Sequence, residues 1–290
     1  MNFMKIINGR EEMRGILKAL RADGKTIGFV PTMGFLHEGH LSLVKRARAE
    51  NDIVVVSIFV NPTQFAPHED FDVYPRDLER DKKLLDGYAD YIFSPVKGEI
   101  YGVDEKITVG IKDLTACFCG ISRPHHFPGV VQVVAKLLNI IAPRRVYFGQ
   151  KDYQQSVVVR HMIDELFFDT ELVVCPTVRE HDGLAMSSRN KYLSAEERVE
   201  APVLNESLRY AKKSLAEGES DLAAVVGGME KLVKSRPHAR IDYIDVREAG
   251  SLEKVDRIGE KPVVIAMAVF FGKTRLIDNL VYNPVDVAEK

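Results

Sequence analysis

The strongest constraint on the fold is an alternation of two kinds of segment through the first 175 residues. Short runs rich in β-branched residues, bounded by Pro, Gly or Asp, alternate with longer stretches of helical periodicity. Strands are predicted at 26–30, 53–60, 91–95, 146–149 and 171–176. Helices are predicted at 10–23, 41–50, 75–88, 130–141 and 152–168. This alternation predicts an α/β fold, a Rossmann-like parallel sheet with flanking helices.

Two of the predicted helices carry further local signals. Pro75 opens the charged segment 75–88, where a proline at the first helical position costs no hydrogen bond. The segment 130–141 is apolar almost all round and stops before Pro143, which predicts a helix deep in the core.

The pattern changes near residue 177. Ser194 and Glu197 form a capping box that predicts a long helix, and a second helix is predicted to begin near Ser220. Two strand-like segments follow, at 239–249 and 262–271. We therefore expect two domains, a larger one at 1–177 and a smaller α+β C-terminal domain at 178–290.

Composition and charge exclude several classes of protein. Lys and Arg number 40 against 42 Asp and Glu, a net charge of −2, so nothing favours a nucleic-acid partner. The odd count of three cysteines, without a C-x-x-C pair, favours a reducing compartment, and we expect the cytoplasm. The longest apolar runs, 53–60 and 263–271, are too short to span a membrane.

The most informative local segment is VPTMGFLHEGHLSLV, residues 30–44. It leads from the end of the first predicted strand, through a glycine-containing loop, into a helix, which is where open α/β sheets bind phosphate. His37 and His40 project from one side of the first helical turn, and Gly39 keeps the backbone between them slim. Two such imidazoles can stabilise charge that develops on a nucleotide phosphate.

Two other interpretations of the histidine pair compete with this one. H-x-x-H occurs by chance, and a single histidine often has only a structural role. Zinc binding is a weaker rival because the segment reads H-E-G-H, not H-E-x-x-H, and no third ligand is evident nearby.

The segment PTMGFLHEGH resembles the P-T-M-G-x-L-H-x-G-H signature of the pantothenate synthetases, within the H-x-G-H nucleotidyltransferase superfamily. Further segments match the same family in the expected order: FVNPTQF (59–65), SRPHHF (122–127), FGQKDYQQ (148–155) and MSSRN (186–190). The resemblance implies an ATP-dependent ligase that condenses (R)-pantoate with β-alanine through a pantoyl-adenylate, releasing AMP and pyrophosphate with the help of Mg²⁺. It also implies a homodimer, and we regard the smaller domain as a candidate lid.

The resemblance assigns an ATP-binding role to residues in three segments. They are Thr32, Met33, Gly34, His37, His40, Gly149, Gln150, Lys151, Asp152, Val178, Met186, Ser187, Ser188 and Arg189. His40, His37 and Lys151 are the expected catalytic residues, which we interpret as stabilisers of phosphate charge. The carboxylate of Asp152 can hold ribose hydroxyls, or it can cap a helix.

The resemblance also assigns residues to the other two substrates. Gln64, Gln155 and Met33 are implied in pantoate binding, and Gln64 also in β-alanine binding. Arg123 and His126 are possible phosphate or gate contacts. The family commonly has R-P-G-H-F-R-G-V at that loop where this chain has R-P-H-H-F-P-G-V, so His125 and Pro128 depart from the pattern.

Three alternative functions are weaker. A nucleotidyltransferase that leaves a nucleotide on its product shares H-x-G-H, but the NPTQF and GQKDYQQ segments favour the ligase. An RNA-binding protein or a fragment of a tRNA synthetase is disfavoured by the slightly acidic charge. A catalytically inactive regulator is disfavoured by the presence of both histidines, Lys151 and both glutamines, Gln64 and Gln155.

Overall fold

The computed structural model describes residues 4–67 and 69–285, which form two compact units. The first unit contains the described residues up to Lys112, with Arg123–Gln150 and Gln155–Pro176. The second contains Asp113–Ser122, Lys151–Gln154 and the described residues from Thr177 onward. The ends of the two predicted domains, residues 1–3 and 286–290, lie outside the described residues. The single domain boundary near residue 177 stays a prediction. The second unit also takes in two earlier stretches, Asp113–Ser122 and Lys151–Gln154.

A six-stranded sheet in which every pairing is parallel organises the first unit. Its strands are β1 (Lys5–Ile7), β2 (Ile27–Thr32), β3 (Ile53–Ile58), β4 (Tyr91–Phe93), β5 (Arg145–Gly149) and β6 (Glu171–Cys175). They lie in the order β1-β4-β3-β2-β5-β6. The predicted Rossmann-like α/β class is confirmed, although β1 was absent from the sequence prediction.

Helices connect these strands. They are α1 (Arg10–Ala22), α2 (Glu38–Glu50), α3 (Leu78–Leu85), α4 (Lys97–Ile100), α5 (Cys119–Ser122, in the second unit), α6 (His126–Ile141) and α7 (Tyr153–Glu165). As predicted, α6 is largely buried, with side chains such as Val130, Leu138 and Ile141 at 2% exposure or less. The apolar segment therefore forms a core helix.

Helix starts were the weakest part of the sequence prediction. The prediction that Pro75 opens a helix is wrong, because α3 begins at Leu78, where the Asp77 side chain accepts a hydrogen bond from Arg80 N at 3.0 Å. An aspartate cap satisfies an amide that has no intrahelical partner, which a proline cannot do. Helix α2 likewise begins at Glu38, three residues earlier than predicted, because His37 caps it.

The second unit is built on an antiparallel sheet in the order β7-β8-β9. Its elements are α8 (Ala195–Glu200), α9 (Val203–Ala216), α10 (Leu222–Lys234), β7 (Ala239–Glu248), β8 (Val263–Phe271) and β9 (Thr274–Tyr282). The predicted capping box at Ser194 is present, but its helix α8 is short and a new helix starts after Pro202. Strand β9 was not predicted.

One close approach in the first unit depends on a glycine. A Cβ on Gly129 of α6 would lie 2.4 Å from the carbonyl oxygen of Thr63 and 2.7 Å from the amide nitrogen of Gln64. Those atoms are backbone, which cannot move aside as the end of a side chain can. Gly129 therefore lets α6 pack directly on the 3₁₀ turn Pro62–Gln64.

We expect Gly129→Ala to lower the free energy of unfolding by roughly 1–3 kcal/mol, because the added methyl overpacks this contact. The matched control is Gly15→Ala in α1, where a Cβ meets nothing within 4 Å. There the higher helix propensity of alanine should add about 0.5–1 kcal/mol. Urea denaturation of both variants checks the pair, and stabilisation by both would refute the proposed close approach.

Candidate active site

The order of the strands determines where a ligand can bind on the first unit. Strand β2 pairs with β3 on one side and β5 on the other, so the strand order reverses at β2. Because these strands are parallel, the loops that follow Thr32 and Gly149 leave the same edge of the sheet. Open α/β sheets bind ligands at such a switch point, outside the carboxyl ends of the strands.

The loop between β2 and α2 is held by polar side chains of Thr32, at the end of β2, and of Asp81 in α3. Thr32 Oγ1 donates to the Ser57 carbonyl oxygen at 2.7 Å and accepts from Gly34 N at 3.1 Å. Asp81 of α3 accepts from Phe35 N at 2.7 Å and Leu36 N at 2.8 Å. Three successive loop amides are therefore fixed before any ligand binds.

The conformation of this loop requires glycine at position 34. Gly34 has φ of +81°, and a Cβ there would lie 2.9 Å from Ile58 Cγ2 and 3.1 Å from Asp81 Oδ2. Asp81 itself is fully buried, and burial raises the pKa of its carboxyl above its usual value. The loop amides oppose that shift because they hydrogen-bond to the charged form.

The two histidines of H-E-G-H cap α2 reciprocally. His37 is the N-cap residue, and its Nδ1 accepts from Gly39 N at 3.2 Å, while His40 Nδ1 accepts from His37 N at 3.3 Å. The ring centroids are 4.1 Å apart. A ring nitrogen that accepts a hydrogen bond carries no proton, so the neutral tautomer that fits is Nε2–H on both rings. Both imidazoles can therefore donate through Nε2 at a helix N-terminus.

Gln64 lies in a buried polar network close to this loop. Its Oε1 accepts from Asn61 Nδ2 at 3.1 Å, and its Nε2 lies 3.1 Å from Met33 Sδ. Asn61 Oδ1 in turn accepts from Tyr101 Oη at 2.7 Å. Burial raises the pKa of Tyr101 to about 12, so this hydroxyl keeps its proton. The Gln64 amide is thus oriented with its oxygen already bonded.

Arg123 and His126 contact the main chain of this same region. Arg123 forms a bidentate salt bridge with Glu69, with Nε–Oε1 at 2.6 Å and Nη2–Oε2 at 2.5 Å. Its Nη2 also donates to the Gln64 carbonyl oxygen at 3.4 Å. His126 Nδ1 lies 3.1 Å from the Gln64 carbonyl oxygen. Both side chains therefore support the Gln64 turn, and their roles as phosphate or gate contacts stay predictions.

The two departures from the family pattern fit the first turn of α6. His125 is the N-cap residue, and Pro128 lies in the first helical turn. An amide there has no intrahelical partner, so the proline removes no helical hydrogen bond.

Strand β5 delivers the second predicted segment to the same edge. Gly149 ends the strand, and a Cβ there would meet nothing within 4 Å. Packing therefore does not require this glycine, which leaves room for a ligand at that backbone. Gln150 belongs to the following 3₁₀ turn, Gln150–Asp152, and Gln155 is half-buried in the first turn of α7.

Lys151 and Asp152 belong to the second unit. Lys151 Nζ lies 3.6 Å from Asp152 Oδ1, and the Lys151 carbonyl oxygen accepts from Asn279 Nδ2 at 2.9 Å. The ammonium and carboxylate that the sequence assigned to ATP therefore lie side by side on a turn whose backbone is anchored to β9.

The MSSRN segment follows a small hairpin in the second unit. Met186 N donates to the Val178 carbonyl oxygen at 3.0 Å, which brings two predicted ATP contacts together. Ser187 Oγ accepts from Arg189 N at 3.2 Å and caps the 3₁₀ turn Ser188–Tyr192. Asn190 Nδ2 donates to Glu180 Oε1 at 2.7 Å, which ties the segment back to the hairpin.

A separate cavity of about 460 Å³ lies at the opposite, amino-terminal edge of the sheet. Arg145 and Glu171, the first residues of β5 and β6, line it together with Arg46 and Glu50. Its charges are already paired, Arg145 with Glu171 at 2.9 Å and Arg46 with Glu50. It is therefore the weaker candidate for a substrate site.

Comparisons with known proteins agree with this geometry. The sequence profile of the family described as pantoate-beta-alanine ligase matches residues 5–281. The chain belongs to the pantoate–β-alanine ligase family. The pantothenate synthetase of Caldicellulosiruptor bescii is 51% identical over 96% of this chain and 99% of its own, and that of Thermosipho africanus is 53% identical over 96% and 100%.

Solved structures give the same result. The crystal structure of pantothenate synthetase from Thermus thermophilus matches with a TM-score of 0.89 and 45% identity, covering 96% of this chain and 99% of that one. The Francisella tularensis ligase, complexed with β,γ ATP and β-alanine, matches with a TM-score of 0.79 and 35% identity, over 97% and 99%. The predicted family and ligase class are confirmed.

Three supporting residues of the ligase had no role in the sequence analysis. They are Asn61, which orients Gln64, Tyr101, which bonds to Asn61, and Asp81, which holds the β2–α2 loop. Asn61 lies inside the matched segment FVNPTQF, but nothing in that segment indicates that its side chain bonds to Gln64. Asp81 follows the loop by more than 40 residues, and no local pattern links them.

No helix in the described part of the chain is long and apolar enough to cross a bilayer.

Variants that keep the cap but lose the imidazole test the function of the histidine pair. Asparagine is among the best N-cap residues, and glutamine completes a capping box. The free energy of unfolding of His37→Asn and of His40→Gln should therefore lie within about 0.5 kcal/mol of the wild-type value. Their rate of pantothenate formation should fall about 10²–10³-fold, because each loses its Nε2–H donor. Retained activity in both variants would limit the histidines to a capping role.

We expect Asp81→Asn to destabilise the ligase by about 1–3 kcal/mol, because the amide group turns a donor towards one of two buried loop amides. The raised pKa of Asp81 contributes stability that is fully present below the unfolded-state pKa and is lost as the pH rises through the folded-state pKa. The advantage of wild type over Asp81→Asn should therefore grow as the pH falls from 7 towards 4. Denaturation curves across this range measure it.

The control for this measurement is Asp77→Asn on the same helix. Asn and Asp cap helices equally well, so this variant should stay within about 0.5 kcal/mol of wild type. A difference between wild type and Asp81→Asn that does not change with pH would contradict the account of Asp81.

Proposed function

We propose that the ligase activates pantoate with ATP before it forms the amide. In the first step a pantoate carboxylate oxygen attacks the α-phosphorus, the bond from that phosphorus to pyrophosphate breaks, and pantoyl-adenylate forms. In the second step the neutral amine of β-alanine attacks the acyl carbon. The bond to AMP then breaks, and the nitrogen gives up a proton as pantothenate forms. Adenylation supplies the leaving group that a carboxylate lacks.

The observation that carries this proposal is the histidine pair at the N-terminus of α2. The helix begins at the switch point of a parallel sheet, where the positive end of the helix dipole favours phosphate. The reciprocal cap holds both rings through Nδ1, so each Nε2–H is preorganised as a donor. Such donors stabilise the charge that passes to pyrophosphate without reorganising during the reaction.

A relative supports the choice of substrates. The Francisella tularensis ligase was crystallised with β,γ ATP and β-alanine, and its structure matches 97% of this chain. We therefore propose ATP and β-alanine as substrates here, with pantoate as the acid that the family joins to β-alanine.

The proposed ATP contacts fall in both units. They are Thr32, Met33, Gly34, His37, His40, Gly149 and Gln150 in the first unit, and Lys151, Asp152, Val178, Met186, Ser187, Ser188 and Arg189 in the second. Lys151 supplies a point charge for phosphate oxygens, and the hydroxyls and guanidinium of the MSSRN segment supply further donors. Gly149 supports the assignment because packing leaves its backbone approachable.

Gln64 and Gln155 are the proposed pantoate contacts, with Met33 beside them. Because the Gln64 oxygen is bonded to Asn61, its amide nitrogen is the group turned towards Met33 and the H-x-G-H loop. That nitrogen can donate to the carboxylate of pantoate or of β-alanine. The polar network supports a carboxylate-binding role for Gln64.

Magnesium fits this proposal as part of the nucleotide substrate. The described residues contain no group of three His, Cys, Asp or Glu side chains arranged to hold a metal ion. Mg²⁺ commonly retains waters and binds through substrate phosphates, so an ATP complex needs no such cage. When bound, the ion would neutralise phosphate oxygens, and the histidine donors would stabilise the same charge.

We also propose that the ligase is a cytoplasmic homodimer. Cys117, Cys119 and Cys175 are buried free thiols, which suits a reducing compartment. Light scattering coupled to gel filtration measures the oligomeric state, and a monomer at micromolar concentration would contradict the dimer.

The deciding measurement is product analysis with MgATP, pantoate and β-alanine. We expect steady AMP and pyrophosphate formation only with all three substrates, and a single turnover of pyrophosphate when β-alanine is left out. Lys151→Ala should lower kcat/KM for ATP about 10²–10³-fold. The control is Lys254→Ala, an exposed lysine of the second unit, which should leave it unchanged.

Other product patterns would overturn the adenylate mechanism. ADP and phosphate as products would indicate an acyl-phosphate intermediate. Pyrophosphate without AMP, or a preference for CTP, would indicate a nucleotidyltransferase that leaves the nucleotide on its product.

A further inference from the structure

Two adjacent polar residues on β9 are buried without belonging to any segment that the sequence assigned to a substrate. Asp278 is 2% exposed and Asn279 is 4% exposed. Successive side chains of a strand point to opposite faces, so neighbours can hold two different segments. Buried polar groups need hydrogen-bond partners, and the partners of these two are informative.

Asp278 binds the base of the hairpin that precedes MSSRN. Its Oδ2 accepts from Arg179 Nη1 at 2.6 Å and its Oδ1 from Arg179 Nη2 at 3.0 Å. Oδ1 also accepts from Asn279 N at 2.8 Å. A bidentate salt bridge of this kind fixes the guanidinium in orientation as well as in position.

The hairpin transmits that constraint to the proposed ATP contacts. Arg179 bridges Ala185 across the hairpin and donates to the Gly183 carbonyl oxygen at 3.0 Å. The flanking residues Val178 and Met186 are hydrogen-bonded to each other at 3.0 Å. Arg179 therefore lies next to Val178 in sequence and pairs with the residue before Met186.

Asn279 binds the other segment. Its Nδ2 donates to the Lys151 carbonyl oxygen at 2.9 Å, inside the short 3₁₀ turn Gln150–Asp152. That bond fixes the backbone from which the ammonium of Lys151 and the carboxylate of Asp152 extend. A turn of three residues has few hydrogen bonds of its own, so an outside donor matters to its geometry.

We infer that Asp278 and Asn279 are positioning residues for ATP, which set the hairpin before MSSRN and the Lys151 turn in fixed relative places within the second unit. This inference rests on the proposed function, since it takes Lys151, Val178 and Met186 as ATP contacts. We assign neither residue a direct role in the chemistry. Their effect on the reaction passes through the two segments that they hold.

The test uses Asn279→Ala and Asp278→Asn in the full chain. The first removes the donor to Lys151, and the second keeps the side-chain shape but removes the charge partner of Arg179. We expect kcat/KM for ATP to fall about tenfold in Asn279→Ala and about 10–100-fold in Asp278→Asn, the effects of one neutral and one charged hydrogen bond. The KM for pantoate should stay within about twofold of wild type, because the hydrogen bonds that the two variants lose hold proposed ATP contacts.

The matched control is Asp242→Asn in β7. Asp242 forms two hydrogen bonds with Arg275 of β9, at 2.7 and 3.0 Å, both through Oδ2, and the same oxygen accepts from Ser122 Oγ, so none of these three bonds joins the hairpin or the Lys151 turn. All three variants should lower the melting temperature, so thermal stability alone does not decide the question. Kinetics are measured well below the lowest melting temperature, where every variant is folded.

The pattern of kinetic effects decides between positioning and simple stabilisation. Equal ATP kinetics in Asp242→Asn and the two β9 variants, or an unchanged kcat/KM for ATP in both β9 variants, would overturn the inference. A wild-type enzyme that makes no AMP from ATP, pantoate and β-alanine would instead overturn the proposed function. The two failures are therefore distinguishable in one set of assays.

Discussion

The parallel pairing of β2 with both β3 and β5 is the constraint on which the rest of the first unit depends. It brings the ends of two strands that are far apart in sequence to one edge of the sheet. The H-x-G-H loop and Gly149 then leave the sheet side by side, and α2 begins there. Both the order and the direction of the strands matter here. The direction of each strand sets the edge at which its loop emerges, and the order decides which loops are neighbours at that edge.

Polar side chains convert this placement into a rigid site. Asp81 binds two loop amides, Thr32 binds a third, and the histidines bind the amides of their own helix. Each bond satisfies a backbone group that would otherwise be costly to bury. The same bonds fix the tautomers of His37 and His40, so helix capping and preparation for charge stabilisation are one arrangement. Preorganised donors are worth more than donors that must reorient.

The second unit uses the same device with different residues. Asp278 holds a hairpin through Arg179, and Asn279 holds the Lys151 turn through a carbonyl oxygen. In both units a buried carboxylate or amide on a regular element fixes irregular backbone that carries proposed ATP contacts. Regular elements are the stiffer part of a protein, so loops tied to them are positioned more accurately than loops alone.

The sequence by itself determined the α/β class, most element positions, the family and the segments that carry the proposed site, because periodicity and short motifs are local properties. It misplaced the starts of α2 and α3, which are capped by His37 and Asp77, and it missed β1 and β9. Only the tertiary structure decided that Asp81 holds the H-x-G-H loop and that Asn279 holds Lys151. The physical reason is that these hydrogen bonds join residues distant in sequence, and no local pattern encodes which distant partner a buried polar group will meet.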